Sequence, residues 1–287
     1  MSSFPTADPM RPVDPLRTLR WRSCQLAHHE QLAPGVVLTL LRIPEGSFLM
    51  GASEEEQDSV SHERPVHRVQ LGEFLMGQTP VTQAQWRVVA EWLPREGEPP
   101  WQRELNPTPS RFPGSNRPVE NVRWQEAEEF CRRLRQRKGK NYVLPSEAQW
   151  EYACRAGTTT PFHFGATLTT ELANYNGSNP YENGPKAKGR GETTVVASFP
   201  ANAWGLHDMH GNVWEWCADH WPNKYPWQSD DSHFLTEENT PEAAFRLVRG
   251  GAWDTFPARC RSAYRGRLHP QGLDGHVGFR VCCLPQD

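Results

Sequence analysis

At 287 residues the chain is long enough for one large domain or two small ones, and its net charge of −3 argues against nucleic acid or an anionic membrane surface as the main partner. Hydrophobic residues make up only 37%, yet 12 Trp and 12 Phe can build a core from few large rings, while 22 Gly and 26 Pro point to a loop-rich body. No apolar run has the length of a signal-peptide core or a membrane span, so a soluble, cytoplasmic protein without a membrane span is expected.

Residues 1–35 are broken by proline and mixed in charge, and read as an N-terminal arm, with at most a short helix around 16–31. The domain is expected over 36–287. It opens on "GVVLTLLRIPEGSFLMG", β-rich and split by a Pro-Glu-Gly turn. An acidic loop, "SEEEQDSVSHERP", leads into a second strand-like run, "VHRVQLGEFLMG". Three helices follow. In "PVTQAQWRVVAEWL", Thr82 and Gln85 fit a capping box, and Trp86, Val89, Ala90 and Leu93 share one face. In "NVRWQEAEEFCRRLRQRKG", Trp124, Ala127, Cys131 and Leu134 recur at helical spacing and Gly139 is the expected stop. In "LPSEAQWEYACRAG", Ser146 and Gln149 form a second capping box, with Gly157 ending the helix. Proline forbids long elements in "PREGEPPWQRELNPTPSRFPGSNRP". Beyond residue 158 the chain predicts loops with short strands at "TTVVASF", "FRLVRGG" and "VGFRVCC". Helices early and irregular β structure late predict one α+β domain.

The seven cysteines are odd in number and contain no CxxC, which predicts reduced, mostly buried thiols. The basic run "CRRLRQRKGK" reads as a solvated helix face, because Glu128 and Glu129 precede Arg132 and Arg133 by four residues. "GPKAKGRGE" lacks the Lys-Ser/Thr and the following helix of a phosphate loop. The eleven histidines show no zinc spacing, and there is no GxSxG elbow. "GLHDMHGNVWEWCADHW" wedges Glu215 between Trp214 and Trp216, and a carboxylate among large rings needs a partner. An arginine or backbone N–H groups would make it an internal tie. A hard cation such as calcium, held by Glu215 in a carbohydrate-binding module, is the alternative.

Several stretches, taken in order, resemble the formylglycine-generating-enzyme (sulfatase-modifying factor) domain family. They are "IPEGSFLMG", "PVTQAQW", "RPVENVRWQEAEEFCRRL", "LPSEAQWEYACRAG", "WGLHDMHGNVWEW", "LVRGGAW" and "GFRV", spanning residues 36–283. The resemblance implies an irregular, loop-rich C-type-lectin-like fold with few helices and small antiparallel sheets. The family's oxidases carry two copper-binding cysteines five residues apart. Here Cys260 matches the second, but the first position is Thr255, and a hydroxyl is no substitute for a thiolate toward Cu(I). Cys282 and Cys283 do not restore the spacing. Relatives in ergothioneine synthesis use a histidine iron site in an added N-terminal domain, which this sequence is not expected to carry.

Residues 250–281 further resemble the variable region of proteins diversified by retroelements. The frame is Gly250, Gly251, Trp253, Pro257, Cys260, Arg261, Ser262, Ala263, Arg265, Arg267, Pro270, Val277, Gly278 and Phe279. Trp214, Glu215 and Trp216 complete the expected scaffold. The variable positions become Asp254, Thr255, Phe256, Ala258, Arg259, Tyr264, Gly266, Leu268, His269, Gly272, Asp274, Gly275 and His276. Adenine-directed diversification leaves codons ending in a pyrimidine, which never encode Lys, Glu, Gln, Met or Trp. None of the thirteen positions holds one of these; Gln271, which does break the rule, falls where the pattern has a fixed residue. The resemblance implies a non-catalytic protein that binds a protein or cell-surface ligand through these residues. Its alternative is an oxidase or accessory paralogue acting on a protein or thiol substrate.

Overall fold

The computed structural model describes residues 26–221 and 245–285. In chain order its elements are β1 (Ala27–Ala33), β2 (Val36–Ile43), β3 (Gly46–Met50), β4 (His67–Leu71) and β5 (Phe74–Gly77). Helices α1 (Gln83–Ala90) and α2 (Trp124–Lys138), strand β6 (Asn141–Val143) and helix α3 (Glu147–Arg155) follow. The last strands are β7 (Trp214–His220), β8 (Arg246–Arg249), β9 (Gly266–Leu268), β10 (Val277–Gly278) and β11 (Cys282–Leu284). One five-stranded sheet has the order β1-β2-β5-β11-β6, so the C-terminal strand is inserted between N-terminal ones. A four-stranded sheet, β10-β7-β8-β9, carries the segment of interest; β10 runs parallel to β7 and the other pairs are antiparallel. The third sheet is the β3-β4 hairpin. None of the described helices is long and apolar enough to cross a membrane.

Both predicted capping boxes form. Thr82 Oγ1 accepts from Gln85 N–H and Gln85 Oε1 from Thr82 N–H; Ser146 and Gln149 repeat the exchange at α3. Gly139 ends α2 in the left-handed region, φ 67°. The rings do build the core: Trp86 stacks on Phe130 at 5.6 Å, and Phe279 packs edge-on against both. All six described cysteines are unpaired and buried.

Several expectations are corrected. Residues 27–33, assigned to the arm and partly to a helix over 16–31, form β1, paired antiparallel to β2 and tied by Glu30 to Lys138, Lys140 and Tyr142. Residues 1–25 lie outside the described residues. Leu93 falls beyond α1 and is exposed, since the helix ends at Ala90. Helix α3 stops one residue early, on Ala156 at φ 45°, ahead of Gly157. No strand forms over 193–199: Ala197 sits at φ 57°, which breaks the extended run, and its N–H is held by Asp208. The "VGFRVCC" run divides into β10 and β11, which join different sheets.

The α2 face is not simply solvated either. Glu129 and Arg133 are buried, and Arg132 pairs with Glu129 rather than with Glu128. Arg133 donates to the Val89 and Ala90 carbonyls at 3.1 and 2.8 Å, satisfying acceptors that the end of α1 leaves open.

Candidate functional site

Residues 249–280 are pinned by four arginines, each fully buried against a distant carboxylate. Arg249 donates to Glu151 and to the Ser262 and Ala263 carbonyls. Arg261 grips Glu63 through two hydrogen bonds of 2.8 Å and reaches Glu56 at 2.6 Å. Arg265 holds Glu147 at 2.6 and 2.8 Å, and Arg280 holds Glu215 at 2.6 and 2.7 Å. The planar guanidinium fork suits this two-point grip, and the added backbone acceptors make burial of the charge tolerable. The acidic loop therefore supplies Glu56 and Glu63 as internal partners.

Glu215 is thus an internal tie. Trp150 Nε1–H donates to it at 2.7 Å, so each carboxylate oxygen is already engaged. A calcium ion there would have to displace the Arg280 guanidinium, and these residues do not fit a cation. Among the described residues no group of three or more His, Cys, Asp or Glu is placed to hold a metal.

The frame glycines have a steric reason. Gly251 sits at φ 77°, and a Cβ there would lie 2.4 Å from Cys260 Sγ. At Gly278 a Cβ would lie 2.2 Å from the Val119 carbonyl oxygen. Cys260 is buried beside Phe162, Tyr175 and Tyr181. Thr255 Oγ1 stands 3.7 Å from its sulfur, so the two positions five apart do face each other. The hydroxyl is held by the Ala252 backbone, donating to its carbonyl at 2.9 Å and accepting from its N–H at 2.7 Å. Burial pushes the Cys260 thiol up to about 12, so it is not a thiolate near neutral pH.

The two sets of residues separate by environment. Eleven of the fourteen frame residues are buried; Trp253, Arg267 and Pro270 are not. None of the thirteen expected variable positions is buried. They do not form one continuous cluster, however. Arg259, Tyr264, Gly266, Leu268 and Asp274 line a cavity of about 590 Å³. Asp254 and Asp274 flank His276, at 3.2 and 2.6 Å, and the Trp253 ring lies against that imidazole at 5.0 Å. Phe256, Ala258 and Thr255 belong to the turn around the 3-10 helix Pro257–Cys260, where Phe256 points outward and Thr255 is drawn toward Cys260. His269 and Gly272 close a tight turn by a 2.7 Å backbone hydrogen bond. Gly275 lies over Arg111 and Glu120, the nearest heavy atoms to a Cβ built there.

Two features escaped the sequence reading. The cavity has a wall of residues outside the variable set, including His62, Trp214, Trp221 and Val248. His62 comes from the acidic loop, and no local pattern marks its approach to Tyr264. Its pKa is lowered, first by burial and then by Arg265. The other is Glu120, fully buried beneath the 274–277 turn. One oxygen accepts from the Phe112 N–H at 2.9 Å and the second has no partner among the described residues. Burial raises its pKa to about 7.

Comparison with known proteins follows the same lines. A family model described as a sulfatase-modifying factor enzyme 1-like domain matches residues 28–283. The formylglycine-generating enzyme of Streptomyces coelicolor is 29% identical, over 84% of this chain and 87% of its own. The serine/threonine-protein kinase pkn1 of Chlamydia caviae is 30% identical over 88% of this chain, which spans only 39% of that relative's length. Among solved structures, variable protein 1 of Treponema denticola superposes with a TM-score of 0.66 at 23% identity, covering 91% of this chain and 99% of its own. That likeness is one of fold.

Proposed function

The chain belongs to the sulfatase-modifying factor enzyme 1-like domain family, and from that premise we propose that it is a non-catalytic ligand-binding protein. In this reading a retroelement diversifies positions between 254 and 276, and a lectin-like scaffold displays them to a protein or cell-surface ligand. One observation carries the reading: all thirteen positions lie outside the buried set, while the frame between them is largely interior. Such a division lets surface chemistry change without disturbing the fold, the arrangement used where a rigid scaffold presents binding loops. The fold likeness to the Treponema variable protein is in keeping with it.

Sequencing the DNA around the gene tests the proposal. The expected finding is a near-copy of codons 250–280 that differs at template adenines, beside a reverse transcriptase. Flanks without such a copy would remove diversification from the account.

A second reading, a thiol oxidase or an accessory paralogue, is favoured by the formylglycine-generating relatives and by retention of Cys260. It meets a chemical obstacle in Thr255, because two soft sulfur ligands are what Cu(I) requires. Incubation with copper and a cysteine peptide decides it: turnover that disappears in Cys260→Ala supports the oxidase, and none is expected.

A further inference from the structure

The cavity beside Tyr264 has more definite chemistry than the rest of the segment. Its volume of about 590 Å³ falls within the range of preformed small-ligand sites. Rings shape its walls: Trp214 and Tyr264 meet at 5.8 Å with a 45° tilt, and His62 lies 5.0 Å from Trp221, edge to face. Most charges along it are already matched. Arg265 is held by Glu147, Asp274 by His276, and Arg267 lies over the Trp221 and Phe245 rings at 5.4 and 5.3 Å. Arg259 is exposed and has no ion pair among the described residues. The Tyr264 hydroxyl and the Trp214 indole N–H likewise make no hydrogen bond among them. The unclaimed donors are therefore one cation, one hydroxyl and one indole N–H, set among aromatic faces; the acceptor along the wall is the second oxygen of Asp274, whose first is held by His276.

We propose that this cavity is a subsite for a planar, π-bearing group that carries a carboxylate. The ring lies against Trp214 and Tyr264, and the carboxylate accepts from the Arg259 guanidinium and the Tyr264 hydroxyl. The inference rests on the ligand-binding reading above and deepens it, naming the class of group that this part of the surface takes. A charge-assisted, two-point contact is the strongest that Arg259 can offer, and aromatic walls supply area with little loss of side-chain freedom. Trp214, Trp221 and His62, outside the proposed variable set, give every draw the same aromatic wall. Tyr264, in that set, completes the ring-binding face, and Arg259 with it chooses the head group.

A matched series of small probes tests this on the full chain: 3-phenylpropionate, 3-phenylpropanol, 3-phenylpropylamine and 3-cyclohexylpropionate, each titrated against tryptophan fluorescence and melting temperature. 3-Phenylpropionate is expected to bind at least tenfold more tightly than the alcohol, the amine or the saturated acid. Arg259→Ala is expected to lose about tenfold and Tyr264→Phe about threefold, with Leu93→Ala, exposed just beyond α1 and outside the cavity, unchanged. Preference for the amine, or an affinity unmoved by Arg259→Ala, overturns the proposal. So does failure of all four probes to bind at millimolar concentration. That last result leaves diversification standing if the flanking DNA holds the template copy, so the two failures are told apart.

Discussion

The arginines at 249, 261, 265 and 280 and the residues strung between them share one stretch of chain but occupy opposite environments. Each arginine is interior, and its carboxylate partner comes from a distant segment: Glu151, Glu63, Glu147 and Glu215. Phe256, Arg259 and His269, a few residues away, face solvent. Anchors that reach across the molecule hold the backbone at fixed points, so most of the intervening side chains, Thr255 and Tyr264 apart, are spared that task. The lesson is one of insulation: a few long-range buried ion pairs tie the backbone, and most of the residues proposed for recognition lie outside those ties.

Breaking an anchor should have the largest effect. Glu215→Ala leaves the Arg280 guanidinium buried without its counter-charge and takes the acceptor from Trp150. Removing one partner of such a pair costs about 3–5 kcal/mol, and urea unfolding should show a loss of that order. Glu63→Ala should do the same to Arg261, tempered because Glu56 remains at 2.6 Å. A loss under about 1 kcal/mol at Glu215 would mean that the anchors do not carry the segment.

The frame was more legible than its mechanism. Capping boxes at Thr82 and Ser146 are local, so four residues suffice to place a helix start. The frame could be read from its Gly-Gly and Cys-Arg-Ser-Ala punctuation. The partners of the arginines could not, because Arg261 and Glu63 lie 198 residues apart and Arg265 and Glu147 lie 118 apart. For the same reason nothing in the acidic loop marks Glu63 as a buried partner. Strand β1 was missed because "AHHEQLA" has no apolar alternation; pairing with β2 and the Glu30 contacts hold it in place.

Thr255 sharpens the comparison from the chemical side, since it sits among the proposed variable positions yet faces Cys260. Thr255→Cys should set two sulfurs opposite each other and supply the soft pair that Cu(I) prefers. Competition with a chromophoric Cu(I) chelator should show at least a tenfold gain in affinity, lost again in Thr255→Cys with Cys260→Ala. No gain would mean that burial keeps the Cys260 thiol protonated even toward copper.

Glu120 is a buried carboxylate with no ion pair among the described residues, the converse of the anchors. Its pKa is raised to about 7 from an ordinary value of 4.5, chiefly by burial. A raised carboxylate stabilises the fold fully below its unfolded value and loses that contribution as pH climbs through the folded one. Asp208, raised to about 6 by burial, acts in the same sense. Glu120→Gln removes the ionisation while keeping the shape. Its melting temperature should match that of the parent near pH 4 and exceed it increasingly from pH 5 to 8. A constant difference across that range would show that Glu120 titrates alike in the folded and unfolded chain, so that burial does not raise its pKa.

The smallest effects should come from the displayed residues, and there the comparison is most exposed to failure. Phe256 is 42% exposed and its ring has no aromatic partner among the described residues, so Phe256→Ser removes little that the fold uses. Arg259→Ala and His269→Asn should behave alike, each within about 0.5 kcal/mol of the parent in urea, as ordinary surface substitutions do. Two positions are graded exceptions. Tyr264 packs against Trp214 and His62, and Thr255 braces the Ala252 turn, so Tyr264→Ala and Thr255→Ala should cost about 1 kcal/mol or more. If Phe256, Arg259 and His269 proved as costly as Tyr264, the display and the scaffold would be one structure, and the insulation argued from the anchors would fail.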